Sequence, residues 1–322
     1  MNKKVFVGLL IGAVLLFLTL RQIDLKSSFE FVKASNWLLL LVGAVLYCSS
    51  FVIRSFRWKM LLSKLVNLPT KRCFSFLAIG FFANNTLPFR IGEIVRAYIT
   101  GKKALVSKSS VLATIVIERI FDGVAYVFLL ALSMLMLNAL PSGIKNTLIT
   151  ASIIFIGAFV FLITYSKNKE LVLKLPAILP FSQKFKDRLF HLINNFAGGL
   201  EILHERKILF LTLLLSVIIW LIEASVFFTV ASAFSLQLTY QQCLFVMIAI
   251  GFAAILPSAP GYVGTVEFVG VSTLAIFGVE KNIAFGYILT LHAIQLLCVA
   301  FMGITSIVRE KLTFAELVKI QK

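Results

Sequence analysis

Apolar runs at 5–20, 37–56, 111–137, 147–165, 208–234 and 283–307 leave this chain few choices of fold. A helix needs roughly 20 apolar residues to cross a hydrocarbon layer about 30 Å thick. Lipid offers no partner to an unpaired peptide group, so runs of this kind must be helical. The composition agrees, with 60% hydrophobic and 14% charged residues, against about 45–50% and 25% in soluble domains. Phe occurs 31 times, as suits lipid-facing and helix-packing surfaces. The expected fold is an all-α integral membrane protein.

Two further segments are apolar but interrupted. The run 73–87 is too short to span, contains Asn84 and Asn85, and stops at Pro88. It leads into Arg90, Gly92, Glu93 and Arg96, three full charges close together. In 242–277, Pro257, Pro260, Gly261 and Gly264 break the run just before Glu267. Proline removes a donor and glycine frees the backbone, so Pro88, Gly92, Pro257, Pro260, Gly261 and Gly264 are read as backbone breakers. Interrupted segments at corresponding places in two halves point to a binding site at the repeat interface. The expectation is about six full transmembrane helices plus two broken or re-entrant elements arranged as an inverted repeat. Residues 1–322 form one membrane domain, with halves at 37–165 and 208–308.

Between the halves, 166–207 is the one sizeable polar segment. Phe185, Leu189, Leu192, Phe196, Leu200 and Leu203 recur at helical spacing, which predicts an amphipathic helix over 182–205. It lies on an anionic lipid surface or packs under the bundle as a linker. The first run, preceded by Lys3 and Lys4, has no cleavage-type sequence after it and is expected to stay as a helix. Residues 21–36 read as a short polar link, and Arg57-Trp58-Lys59 as an interfacial closure of the helix from Trp37.

The formal charge of +17 would suggest nucleic acid in a soluble chain. Here it follows from topology, and no nucleic-acid motif accompanies it. With the N-terminus inside and both interrupted segments dipping in and returning, the basic residues of 57–72, 99–110, 166–207 and both termini fall inside. The outer loops keep few, among them Arg21, Lys26, Lys33, Lys145 and Lys281. That asymmetry predicts cytoplasmic termini in the cell inner membrane, and two dips from opposite sides. Eight full spans would also keep both termini inside but would move basic loops outward.

Ionisable groups at bilayer depth need a partner or a wet cavity. Glu93 and Arg96, and Arg119 and Asp122, are spaced to pair along a helix. Glu118 and Asp122 share a face and require a cation between them, for which Arg90 or Arg96 is the candidate. Two compatible readings follow, an internal salt-bridge knot and a cationic cavity holding a phosphate, for which guanidinium geometry is suited. The expected substrate-binding set is Arg90, Arg96, Asn84, Asn85 and Arg119. Glu93, Glu118, Asp122, Glu223 and Glu267 are the coupling or organising carboxylates. Glu267 could instead cap a helix N-terminus, Glu223 has no partner nearby in sequence, and His292 reads first as a satisfied hydrogen-bonder. Cys48, Cys73, Cys243 and Cys298 lie singly, with no metal or disulfide spacing. No Walker A, G-x-S-x-G, H-E-x-x-H or dinucleotide motif is present, and no cofactor or metal is expected.

The pattern N-x-x-x-P-x-R-x-G-E-x-x-R from Asn84 to Arg96 is followed by Ser107-Lys108-Ser109 and by Glu118-Arg119-x-x-Asp122. With P-x-x-P-G-x-x-G-x-x-E from Pro257 to Glu267, the chain resembles the lysylphosphatidylglycerol synthase transmembrane-region family of flippase-like proteins. Tyr262 departs from the second glycine expected after Pro-Gly. The best-understood members of that family pair this region with a cytoplasmic aminoacyltransferase domain, whose product the membrane part moves between leaflets, and stand-alone members are linked to other lipids. Ending at Lys322, this chain is expected to match the translocating part alone. The resemblance implies a transporter of an anionic phospholipid or lipid-linked headgroup, with a membrane lipid as partner. The alternatives are a membrane-embedded transferase acting on a lipid-linked substrate, or a scaffold for a separate cytoplasmic lipid-modifying enzyme.

Overall fold

The computed structural model describes residues 3–87, 91–136, 183–253 and 259–313, with Glu316 and scattered helical positions between 143 and 164. Every regular element among them is helical. Arg90, Pro88, Pro257 and most of the helix expected at 147–165 lie outside the described residues.

The chain opens with α1 (Lys3–Leu20) and α2 (Leu25–Ala34), which meet at an 85° bend. The link expected at 21–36 therefore contains a helix. Asp24 starts it by accepting from the Lys26 amide at 3.0 Å, and its Ser28 and Val32 side pack beside Gly286.

α3 (Trp37–Leu62) begins at Asn36, whose side chain accepts from the amides of Leu38 and Leu39. An N-cap satisfies donors that no helical carbonyl can reach. Asn36→Ala is expected to cost about 1 kcal/mol, seen as a lower melting temperature of the detergent-solubilised protein. An unchanged melting curve would mean the cap is idle. α3 runs past the expected end at residue 56. Arg57 and Trp58 are fully buried rather than interfacial, because buried Leu61 and Leu62 carry the apolar face a further turn.

α4 (Thr70–Thr86) and α5 (Gly92–Ala104) form a helical hairpin, with Gly80 against Arg96 and Asn84 against Gly92. α6 (Lys108–Met136) follows. After the undescribed stretch come α7 (Gln183–Gly199) and a short 3-10 turn, Glu201–His204. The C-terminal part of α7 is seated on α6, where Ser110 Oγ donates to the Asn195 carbonyl at 2.6 Å. Of the two readings of 182–205, packing under the bundle is what this half does, while Phe190 and Leu192 remain exposed.

The remaining elements are α8 (Arg206–Ala233), α9 (Tyr240–Ala253), a 3-10 turn at Pro260–Tyr262, α10 (Thr265–Ile276) and α11 (Lys281–Arg309). α9 and α10 make a second hairpin, with the rings of Phe245 and Phe277 5.9 Å apart at its open end. α3 packs along α8, and both pack with α11 around the larger apolar core of Phe51, Phe227, Phe245 and Tyr287. A second core gathers Trp58, Phe76, Ile99 and Ile117 where α3 to α6 converge.

Among the described residues three helices, α3, α8 and α11, are long and apolar enough to cross a membrane, and four if α1 with α2 counts as one bent span. Their outward faces carry Trp37, Leu41, Phe210, Leu297 and Phe301, each more than half exposed. Water would penalise that surface, and hydrocarbon accommodates it.

Ion pairs mark one end of the bundle and hydrogen bonds the other. At one end Lys64 pairs with Glu205 at 2.6 Å, Arg72 with Glu310 at 3.6 Å and Lys102 with Glu316 at 3.6 Å. At the other, Asp24 N–H donates to Asn282 at 2.8 Å and Lys281 donates to Gln22 at 2.5 Å. The α4–α5 hairpin has its open end at the first rim. The α9–α10 hairpin lies between α8 and α11, whose facing ends are at the second.

Candidate functional site

Five charged residues of α3, α5 and α6, Arg57, Arg96, Glu118, Arg119 and Asp122, converge on one buried cluster. Arg96 grips Glu118 with both terminal nitrogens, at 3.1 and 2.8 Å, and lies 3.6 Å above the Trp58 ring. Trp58 in turn donates to Thr114 at 3.1 Å. Arg57 reaches Glu118 at 3.4 Å and holds Asp122 through both terminal nitrogens, one at 3.2 Å. Its Nη1 also donates to Ser216 of α8 at 2.5 Å. Arg119 donates to Glu118 and stands 3.4 Å from Asp122.

Helical spacing brings Glu118 and Asp122 to one face, as expected, but the cation between them is Arg57, joined by Arg119. Arg96 holds Glu118 alone. The expected Glu93–Arg96 pair is not made, because Arg96 turns to the bidentate partner on α6. Glu93 instead accepts from Asn84 Nδ2 with both oxygens, at 3.1 Å each.

Arg57, Arg96 and Arg119 face Glu118 and Asp122, and the Glu93 carboxylate is near enough to act on Arg96 and Arg119, so three cations meet three anions. Arg57, Arg96 and Glu118 are sealed from solvent, while the Arg119 side chain is 35% exposed. Arg119 is therefore the guanidinium of the cluster that reaches the accessible surface.

A second pair lies one turn earlier on α3. Arg54 donates to Glu223 at 3.2 Å and Ser50 donates to the same oxygen at 2.9 Å. The guanidinium is 4.6 Å from the Trp220 ring centre. Glu223, without a neighbour in sequence, thus finds its cation across the α3–α8 contact.

Arg119, Arg54, Glu93 and Glu223 all line a cavity of about 210 Å³. Asn84 and Asn85 contribute from the tip of the first hairpin, and Tyr262, Val266 and His292 from the second break and α11. Aromatic walls come from Tyr47, Phe81, Tyr126 and Trp220. The tips touch here. A Cβ placed on Gly261 would sit 3.7 Å from the Asn85 carbonyl oxygen.

Each break is held by side chains. Asn84 Oδ1 accepts from the Gly92 amide at 2.7 Å, closing the first turn. At the second, Glu267 accepts from the Gly264 amide at 2.6 Å, so it does cap α10. Its other oxygen meets His292 Nδ1 at 2.6 Å, and His292 Nε2 meets the Gly261 carbonyl at 2.8 Å. Gly261 and Tyr262 both adopt positive φ, 67° and 63°. A non-glycine residue thus occupies the left-handed turn where a second glycine was expected.

Of the expected site residues, Asn84, Asn85, Glu93, Arg119 and Glu223 face the cavity. Arg96, Glu118, Asp122 and Glu267 sit behind its wall, and Arg90 is outside the described residues. The sequence reading missed Arg54 and Arg57 as site residues, together with Ser50, Tyr126, Trp220 and Gln295. A signal existed for the two arginines. Their i, i+3 spacing puts them on one face of an apolar run that continues to Leu62.

A bundle with lipid-compatible outer faces and a buried ionic cluster beside a polar cavity is that of a polytopic membrane protein. The chain belongs to the lysylphosphatidylglycerol synthase TM region family, whose match covers residues 5–303. It is similar to a UPF0104 membrane protein of Methanothermobacter thermautotrophicus, 22% identical over 323 residues, covering 95% of this chain and 96% of the relative. A UPF0104 membrane protein of Pyrococcus horikoshii is 24% identical over 301 residues, covering 87% and 90%. One from Methanocaldococcus jannaschii is 27% identical over 228 residues, covering 69% and 91%. No solved structure matches the chain.

Proposed function

We propose that this protein moves a lipid with an anionic, phosphate-bearing headgroup between the leaflets of the cell inner membrane. The observation that carries the reading is Arg119, a guanidinium anchored on buried carboxylates and exposed to a cavity where two broken hairpins meet. A guanidinium fixed by carboxylates behind it offers remaining N–H groups to phosphate without reorganising. Arg119 contacts the phosphate, Asn84 and Asn85 offer amide contacts, and acyl chains stay in lipid. Arg96, pinned on Glu118, acts as a strut that keeps α5 and α6 in register. Glu93, Glu118, Asp122, Glu223 and Glu267 orient the cations and the breaks.

The two hairpins have their open ends at opposite rims and touch at their tips, which supports an inverted repeat of halves 37–165 and 208–308 joined by 166–207. The reading includes six full spans with both termini cytoplasmic, which the charge bias of the loops supports. The charge bias that supports it stands after Arg57 is removed from the inner count, since the remaining basic loops are unaffected.

The test is lipid movement in proteoliposomes carrying a fluorescent phosphatidylglycerol. Arg119→Gln removes a charge-assisted contact worth about 1.5–3 kcal/mol, so the rate is expected to fall roughly 10- to 100-fold. A folded Arg119→Gln protein that moves the probe at the wild-type rate overturns the phosphate contact.

A further inference from the structure

The second break contains more hydrogen-bonding groups than its formal protonation can satisfy. His292 Nδ1 faces a carboxylate oxygen of Glu267 at 2.6 Å, and Nε2 faces the Gly261 carbonyl at 2.8 Å. Both partners are acceptors when Glu267 is ionised, and a neutral imidazole has one N–H. The remaining ring nitrogen would then set its lone pair against an oxygen. The geometry closes only if the pair holds one more proton, as an imidazolium beside a carboxylate or a neutral imidazole beside a carboxylic acid. Glu267 cannot turn away, because its second oxygen takes the Gly264 amide at 2.6 Å.

We propose that His292 and Glu267 form a proton-binding latch on the second break, and that lipid movement is coupled to the proton this latch takes up and releases. The proposal rests on the lipid-moving reading and adds to it the ion that drives or gates the cycle. With two protons, His292 ties Gly261, at the hairpin tip, to Glu267, at the head of α10. When one proton leaves to the cavity that His292 lines, the surviving N–H stays with the charged Glu267, the stronger acceptor. Nε2 is left as a lone pair against the Gly261 carbonyl, and that contact turns repulsive. The Pro260–Gly264 turn is then freed where it touches Asn85 of the opposite hairpin. Protonation holds the turn against α10 and α11, and deprotonation releases it.

Other ionisable groups bear on this site. Across the cavity stand Tyr47 and Arg54 of α3, Glu93 of α5, Arg119 and Tyr126 of α6, Glu223 of α8 and Tyr262 of the turn itself. α1 meets the break at Gly12 and carries charge only at Lys3 and Lys4. α2, with Lys26, Glu30 and Lys33, meets α11 at Gly286, six residues or about 9 Å along the axis from His292. Bound anionic lipid near Arg119 would favour the protonated latch, which supplies the link between cargo and proton.

The experiment uses the full chain in nanodiscs with ¹⁵N-labelled histidine. The chain has three histidines, and the exposed His191 and His204 are replaced by glutamine to leave His292 alone. Nitrogen spectra from about pH 5 to pH 9 bracket the ordinary histidine range. The latch predicts loss of one proton from the pair as pH rises, with faster amide exchange in 259–264 over the same interval. A ring holding a single, unchanging proton throughout overturns the latch. Titration without any change in exchange of the break overturns its locking role.

Coupling is read in proteoliposomes. An imposed pH gradient is expected to change the rate of phosphatidylglycerol movement several-fold, and His292→Gln to abolish that dependence. A rate indifferent to the gradient in the unsubstituted protein overturns coupling, and that measurement stands even where His292→Gln fails to fold. A protein moving no anionic lipid at any pH overturns the lipid reading and the coupling with it. The nitrogen spectra then still decide the latch.

Discussion

Replacing Glu118 with alanine is expected to lower the stability of the solubilised protein by about 3–5 kcal/mol, enough to deplete it from membranes. Glu118 is the point at which Arg57, Arg96 and Arg119 meet. Without it three guanidinium groups face Asp122 and the more distant Glu93, two of them sealed from solvent. A buried ion pair is weak evidence for stability as a whole, but stripping one partner leaves charge that neither water nor protein compensates. Arg96→Met is the informative comparison. It leaves Glu118 with two of its three guanidinium partners and keeps an apolar stem over Trp58, so its cost is smaller. Thermal unfolding in detergent measures both. A Glu118→Ala protein melting with the wild type would show that water reaches the cluster and that the sealed arrangement is wrong.

The second large effect is at Gly92. A Cβ there would stand 2.0 Å from the Gly80 carbonyl oxygen and 2.5 Å from Asn84 Oδ1. The first obstacle is main chain, which cannot rotate aside. The α4–α5 hairpin must splay and break the Asn84–Gly92 hydrogen bond that closes its tip. Gly92→Ala is therefore expected to cost about 3 kcal/mol, at the upper end for overpacking, with loss of lipid movement. Gly278 provides the control, having positive φ (76°) but open space around its Cβ position. Gly278→Ala should cost about 1 kcal/mol from backbone strain alone. Equal melting temperatures for the two variants would contradict the close approach at Gly80.

Much of this was legible before any coordinates. Length and apolarity located α3, α8 and α11, since lipid accepts little besides a continuous helix. Proline and glycine placed both breaks, because they change the backbone whatever surrounds them. The cluster was legible in part. Helical spacing put Glu118 and Asp122 on one face, but nothing along the chain says which cation comes to them from another helix. Arg57 sat beside Trp58 and Lys59 and read as an interfacial belt. Only the continued burial of Leu61 and Leu62 shows the helix is still inside at that depth. The Arg54–Glu223 pair was hidden for the same reason, being 169 residues apart in sequence. Glu93 and Arg96 show the converse error, in which a favourable local spacing lost to a bidentate partner across the fold.

The contact between Gly261 and the Asn85 carbonyl has a mechanical consequence. Two arms reaching in from opposite rims meet at a glycine, with room for no more than a methyl group at the point of meeting. Drawing one arm back widens the chamber on that arm's side and leaves its neighbour as the remaining barrier. Under the proposed lipid-moving function, a seesaw of this kind would give one-sided exposure without a separate gate on each face.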